Sequence, residues 1–174
     1  MEVTYNPILH VEDDENDIVL VQRALAAAGV SHPLQVVRSG VRAIDYLLGH
    51  EPFERRELYP PPSLILLGLH LPMLNGLEFL RWRLMRPNVQ RIPVLMLTSS
   101  RQPSDLAGAY AAGANGYLVK PPAFDGLVEM AKAIRMFWLT HNTYATQPED
   151  GADTRFRVLP TAGERHEAAA AIGL

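Results

Sequence analysis

The chain contains no cysteine, and this absence excludes the protein classes that depend on thiol groups. Without thiols it can form neither disulfides nor thiolate zinc sites, and nothing suggests secretion. It also lacks an apolar run of the roughly 18 residues that a membrane-spanning helix needs. Its first residues show neither the basic segment nor the apolar segment of a signal peptide. We therefore expect a cytoplasmic protein that does not enter a membrane.

Basic residues are scattered along the 174 residues rather than massed, and the formal net charge is −3. This distribution lacks the electrostatic footprint of a nucleic-acid-binding surface, so nucleic acid is not the expected partner. The length fits one domain with an appendage better than two domains.

Short apolar runs alternate with segments of helical periodicity, and this alternation predicts the fold. The runs are residues 8–11, 34–37, 64–67, 94–97 and 117–119. Three of them are continuously apolar, as are strands that a parallel sheet buries on both faces. Five strand–helix units predict an α/β protein with a doubly wound parallel sheet and helices on both faces. In such sheets ligands bind beyond the carboxyl ends of the strands.

Two helical segments frame this pattern, and two other segments interrupt it. After the first run, Ile18, Val21, Leu25 and Ala28 recur at helical spacing. Near the end of the pattern, the predicted core face consists of Leu127, Met130, Ala131, Ile134, Phe137 and Trp138. Residues 49–62 are charged and proline-rich, which predicts a surface loop. We place the domain at residues 1–142 and a C-terminal extension at 143–174, in which the alanine-rich stretch 164–172 could form a short helix.

Chemically useful side chains stand directly after the predicted strands. Glu12 and Asp13 follow the first, Thr98 ends the fourth and Lys120 ends the fifth. Acidic residues at the start of a helix often only cap it, and we favour this interpretation for the next two acids, 14 and 15. For Glu12 and Asp13 a divalent-cation site is the sharper interpretation, since hard cations prefer carboxylate oxygens.

Four segments that contain these strand ends resemble a known protein family. The segments VEDDEND, LILLGLHLPMLNGLEFL, VLMLTSS and GANGYLVKP look like the receiver domain of two-component response regulators, and the resemblance covers about residues 7–140. It implies a flavodoxin-like sheet with strand order 2-1-3-4-5, no enzymatic activity of its own, and a sensor histidine kinase as partner. The long loop and the missing output domain look most like single-domain regulators paired with bacterial phytochrome kinases.

The resemblance also implies roles for individual residues. Glu12 and Asp13 match the acids that hold Mg²⁺, and His70 matches the residue whose backbone carbonyl completes that site. Thr98 and Tyr117 match the two switch residues: the hydroxyl that rearranges onto the phosphoryl group and the aromatic that swings inward on activation. Lys120 matches the lysine that contacts the phosphoryl oxygens, and Pro121 the proline that follows it across a cis peptide bond.

Gly68 occupies the position at which the family carries its phosphoacceptor aspartate. Glycine has no carboxylate and cannot form an acyl phosphate, and the loss of one ligand predicts weak Mg²⁺ binding. The sequence therefore favours an atypical pseudo-receiver that acts through protein contacts. A conventional receiver remains an alternative, with Gly68 introduced or another residue accepting phosphate. A flavodoxin-like enzyme or flavin carrier is disfavoured because no phosphate-binding loop is present.

Three further expectations concern packing and assembly. His10 lies within the first strand and should be a buried, hydrogen-bonded core residue. Ser99 and Ser100 lack a histidine–acid pair that could activate them, so they are not predicted nucleophiles. We expect a homodimer through the fourth helix, fifth strand and fifth helix, formed by residues 105–110, Tyr117 and the outer side of 125–137. The extension is either a dimerisation arm or a disordered tail.

Overall fold

The computed structural model describes residues 5–142, in which five parallel strands form one sheet. The strands are β1 (Ile8–Val11), β2 (Leu34–Val37), β3 (Leu64–Leu67), β4 (Val94–Thr98) and β5 (Gly116–Val119). Their order across the sheet is β2-β1-β3-β4-β5, which confirms the predicted flavodoxin-like topology. The strands align so that Val11 lies beside Val37 and Leu67, and Thr98 lies beside Val119. The carboxyl ends of the central strands therefore finish close together.

Within residues 5–142, six α-helices connect and cover the strands. They are α1 (Glu15–Ala27), α2 (Gly40–Leu48), α3 (Gly76–Leu84), α4 (Pro87–Gln90), α5 (Pro103–Ala111) and α6 (Phe124–Ile134). Helix α4 is a single turn that the apolar pattern did not indicate. Asp14 caps α1 by accepting a hydrogen bond from the backbone N–H of Asp17, as the position of the acid predicted.

The two faces of the sheet carry separate parts of the core. Alternate strand residues, including Ile8, Leu66 and Leu97, pack with α1 and α6 on one face. On the opposite face Met96 approaches Gly76 at the start of α3. Strands β1, β3 and β4 are buried throughout, which explains why their sequences are nearly continuous apolar runs.

The last helix departs from the predicted core face. After Ile134 the chain continues as a π-helical segment, Arg135–His141. This wider winding changes which side chains face the sheet, so that Trp138 and Leu139 pack on the core. Phe137 is 56% exposed instead of buried. Its place in the predicted core face was therefore wrong, because regular helical spacing ends three residues earlier.

Residues 49–62 form the predicted surface loop, and an aromatic cluster fixes it to the domain. The ring of Tyr46 on α2 contacts the rings of Phe53 and Tyr59, and its hydroxyl donates to the carbonyl of Pro60. The loop is thus anchored through a fully buried side chain. None of the helices within residues 5–142 is both long and apolar enough to cross a membrane. The proposed extension, 143–174, lies outside the described residues.

Candidate functional site

A cleft of about 310 Å³ lies at the carboxyl ends of the strands, where the strand order reverses. Its lining brings together every strand-end residue that the sequence singled out as chemically useful. The lining residues are Glu12, Asp13, Asp14, Asp17, Gly68, Leu69, His70, Leu97, Thr98, Ser99, Ser100 and Lys120.

Glu12 is the buried acid of the cleft. It directly follows β1, and one of its carboxylate oxygens accepts the backbone N–H groups of Asp13 and Asp14. The other oxygen lies 2.5 Å from the Nζ atom of Lys120. Both oxygens of Glu12 are therefore engaged within the protein. Asp13, which also lines the cleft, is exposed.

Lys120 follows β5 and carries the positive charge of the cleft. Its ammonium group lies 2.5 Å from Oε2 of Glu12 and 2.5 Å from Oδ2 of Asp17. Burial by itself would lower the pKa of Lys120, but the hydrogen bonds and charges of these two carboxylates raise it above its usual value. The lysine is thus held as a cation between two acids.

Asp17 is the member of the site that the sequence reasoning missed. Its place in the site could have been recognised from the sequence, because positions 17, 21, 24 and 28 lie along one face of α1. The last three of these residues are buried. An acid on the buried stripe of a helix needs a partner at the end of the sheet. Lys120 provides that partner from a position 103 residues away in the chain.

Gly68 directly follows β3, in the middle of the sheet, and its N–H donates to the carbonyl of Val11 at 2.9 Å. A Cβ atom at this position would lie 3.1 Å from that carbonyl oxygen, 3.2 Å from Cδ2 of Leu71 and 3.6 Å from Oε2 of Glu12. The first two distances are tight, so a side chain would require shifts of a few tenths of an ångström. At this strand end the cleft wall is bare backbone.

The loop after Gly68 is fixed by the start of α3. Asn75 and Glu78 form a reciprocal capping box, in which each side chain accepts the other residue's backbone N–H. Gly76 donates its N–H to the carbonyl of Leu69, and a Cβ there would collide with the carbonyl oxygen of Gly68. This close approach positions His70, whose side chain is exposed.

Ser100 connects the two predicted switch residues. Its N–H donates to Oγ1 of Thr98, and its carbonyl accepts from the hydroxyl of Tyr117 at 3.2 Å. Its own hydroxyl donates to Asp105 on α5 at 2.5 Å. Thr98 and Tyr117 are therefore linked through one serine, to which the sequence analysis assigned no role beyond rejecting it as a nucleophile.

Pro121 corrects one expectation. Among residues 5–142 the cis peptide bond is Glu51–Pro52, so the bond between Lys120 and Pro121 is trans. The trans isomer is intrinsically favoured for X–Pro bonds. With it, Lys120 still donates its N–H to the carbonyl of Thr98 and reaches both acids.

The donors of the cleft do not fit a divalent cation as they stand. Mg²⁺ needs several oxygen ligands in near-octahedral geometry. Here Glu12 is bound by Lys120 and by backbone N–H groups, and Gly68 offers no carboxylate. Within the described part of the chain, no three His, Cys, Asp or Glu side chains are grouped so that they could hold a metal ion. Glu12 and Asp13 could become ligands only if the ion pair with Lys120 were rearranged.

His10 lies beneath the cleft on β1 and is completely buried, as predicted. The prediction that it is hydrogen-bonded was wrong, because neither ring nitrogen has a partner among residues 5–142. The neighbouring strand residues Val36 and Leu66 are apolar and offer no side-chain partner. Burial, with a smaller effect of the positive charge of Lys120 opposed by Asp17, lowers the pKa of His10 to about 3.

Comparisons with known proteins agree with this geometry. The family model for the response regulator receiver domain matches residues 8–132. Response regulator Rcp1 of Synechocystis sp. (strain ATCC 27184 / PCC 6803 / Kazusa) is 37% identical over 132 residues, which are 76% of this chain and 88% of that protein. The crystal structure of the phosphorylated cyanobacterial phytochrome response regulator RcpA aligns with a TM-score of 0.75 at 34% identity, covering 82% of this chain and 99% of that one. The Mn²⁺-bound form of Rcp1 aligns with a TM-score of 0.72 at 35% identity, covering 81% and 99%.

Proposed function

The chain belongs to the response regulator receiver family of two-component signalling, and on that premise we propose that it is a single-domain receiver that signals through protein contacts without aspartyl phosphorylation. The observation that carries the proposal is Gly68. It directly follows the central strand β3 and lines the same cleft as Lys120, Thr98 and Glu12, yet it presents no side chain.

Among the described residues, three of the four carboxylates that line the cleft are engaged in other contacts, and the fourth, Asp13, follows β1 rather than β3. Glu12 is bound to Lys120 and to backbone N–H groups, and Asp17 is bound to the same lysine. Asp14 caps α1. A nucleophilic carboxylate must be free to approach the phosphorus atom, and these three carboxylates are engaged elsewhere.

The proposal includes weak divalent-cation binding. A Mn²⁺-bound structure exists for the related Rcp1, so metal binding belongs to this group of proteins. In this chain Glu12 and Asp13, with the backbone carbonyl of His70, would be the ligands, and a bound ion would supply positive charge beside Lys120. One missing carboxylate and the engagement of Glu12 both weaken such a site.

The proposed partners follow from the relatives and from the exposed surface. Rcp1 and the phytochrome response regulator RcpA suggest a sensor histidine kinase, and in particular a bacterial phytochrome. Leu106 and Tyr110 on α5 are exposed apolar side chains beside β5, which supports a homodimer through α5, β5 and α6. We place the protein in the cytoplasm, with residues 143–174 as a C-terminal extension of the receiver domain.

A phosphodonor assay tests the central claim. The full chain and its Gly68→Asp variant are incubated with a small-molecule phosphodonor and Mg²⁺, and the intact masses are compared. We expect a phosphoryl mass only on the variant, because only it carries a carboxylate at position 68, directly after β3. Gly68→Ala is the matched control, since it adds the same Cβ atom in the same tight space without an acceptor.

The other outcomes are equally informative. A phosphoryl mass on the unmodified chain would show that another residue accepts phosphate, and the proposed function would be wrong. If Gly68→Asp folds like the Gly68→Ala control but gains no mass, then the remaining site is not a receiver site that lost only its acceptor.

A further inference from the structure

We propose that Lys120 is the built-in cation of the cleft and that Asp17 positions it there, so that the acidic site is neutralised without a divalent metal ion. The inference rests on the proposed function in that it concerns the same cleft. It adds a residue, Asp17, for which neither the sequence motifs nor the phosphoryl chemistry assigned a role.

The geometry around the ammonium group carries the argument. Nζ lies 2.5 Å from one carboxylate oxygen of Glu12 and equally far from one of Asp17, and the lysine side chain is only 12% exposed. Both contacts are charge-assisted hydrogen bonds, so the ammonium group bridges the two carboxylates.

Asp17 determines on which side of the cleft the lysine lies. It belongs to the first turn of α1, which Asp14 caps and which packs against α6. Its carboxylate therefore comes from a fixed element and draws the ammonium group towards α1. Asp17 does not act on a substrate in this proposal; it acts through Lys120 and is a positioning residue.

The balance of charge explains why the lysine is needed. Glu12, Asp13, Asp14 and Asp17 all line the cleft, and among residues 5–142 Lys120 is the one lysine or arginine in that lining. Without its charge the buried carboxylate of Glu12 would have no cationic neighbour in that lining, and carboxylates in close proximity repel one another. Removal of the ammonium group should therefore make the protein depend on an external cation.

The first experiment observes the ammonium group directly in the full chain by ¹⁵N-detected NMR of lysine NH₃⁺. A buried, doubly hydrogen-bonded ammonium exchanges its protons slowly and should give a resolved signal for Lys120. We expect Asp17→Asn to abolish or strongly broaden that signal. The control Asp13→Asn, which removes an exposed acid from the same cleft, should leave it unchanged. An unchanged Lys120 signal in Asp17→Asn would overturn the proposal.

The second experiment measures the melting temperature of the wild type and of Lys120→Gln with millimolar Mg²⁺ or Ca²⁺, against K⁺ at equal ionic strength. The wild type should respond much less than Lys120→Gln, which should melt several degrees higher with a divalent ion. Lys132→Gln is the control, because Lys132 pairs with Glu129 on an exposed surface. The proposal would be refuted if the melting temperature of Lys120→Gln did not change with the divalent ion, or if submillimolar Mg²⁺ stabilised the wild type.

Neither experiment uses a phosphodonor. Phosphorylation of the wild type would therefore disprove the proposed function and leave the position of Lys120 untouched. Conversely, an unchanged ammonium signal in Asp17→Asn would remove the role of Asp17 without affecting the argument from Gly68. If Lys120→Gln does not fold, the Asp17→Asn comparison still decides the question.

Discussion

Replacing His10 by leucine should stabilise the protein, and the gain should grow as the pH falls. His10 is fully buried in the central strand β1, and neither of its nitrogens hydrogen-bonds within residues 5–142. A buried polar group without a partner costs about 1–3 kcal/mol. Leucine has a similar size and no polar atom, so after some loss from imperfect packing we expect a gain of about 1 kcal/mol near pH 8.

The pH dependence follows from the lowered pKa of His10, which is about 3 in the folded protein and 6.5 for an unperturbed histidine. Between these two values the folded state keeps the imidazole neutral while the unfolded chain binds a proton. The unfolded state therefore binds more protons, and stability falls as the pH decreases through this window. From about pH 8 to about pH 5 this single group should lower the free energy of unfolding by about 2 kcal/mol.

Urea denaturation of the wild type and of His10→Leu at both pH values measures this difference. The advantage of the variant should rise from about 1 kcal/mol near pH 8 to about 3 kcal/mol near pH 5. His141→Leu, which exchanges an exposed histidine, is the control for a general effect of removing an imidazole. If the wild type and His10→Leu lose stability in parallel between the two pH values, the imidazole is not held neutral and the reasoning is wrong.

Two further predictions concern the loop beside the cleft and the proposed dimer surface. Met73 has a positive φ of 67° and a 77% exposed side chain. Met73→Asn should therefore raise the free energy of unfolding by about 0.5–1 kcal/mol, because asparagine tolerates the left-handed region better and little burial is lost. An unchanged urea midpoint would show that the loop stores no such strain. Tyr110 is 51% exposed on α5, so Tyr110→Glu should shift a homodimer towards monomer in sedimentation velocity while the circular dichroism spectrum stays the same. A wild type that is monomeric at high concentration, or a variant that dimerises equally well, would exclude this surface as the interface.

The strands and most of the cleft could be predicted from the sequence because their signals are local. A central parallel strand is buried on both faces, so β3 and β4 read as unbroken apolar runs. The carboxyl ends of such strands meet at one edge of the sheet, and this was enough to group Glu12, Thr98 and Lys120. The capping role of Asp14 also follows from local chemistry.

Features that depend on distant parts of the chain could not be predicted in the same way. The π-helical winding after Ile134 depends on how the end of α6 meets the core, so regular spacing placed Phe137 on the wrong face. Arg83 would be expected at the surface, but it is buried and donates to the carbonyls of Gln90, Ile92 and Gly113. Such contacts join residues that are distant in the sequence, so a local sequence motif does not predict them.

The sequence by itself determined the sheet and, through the family resemblance, its strand order. It also determined that position 68 has no carboxylate, since residue identity alone decides whether an acyl phosphate can form there. Only the tertiary structure decided what Lys120 does instead. Its partners Glu12 and Asp17 lie 108 and 103 residues earlier in the chain. Which carboxylates Lys120 binds depends on distances and burial, because an ammonium group removed from water binds the carboxylates that the fold places beside it.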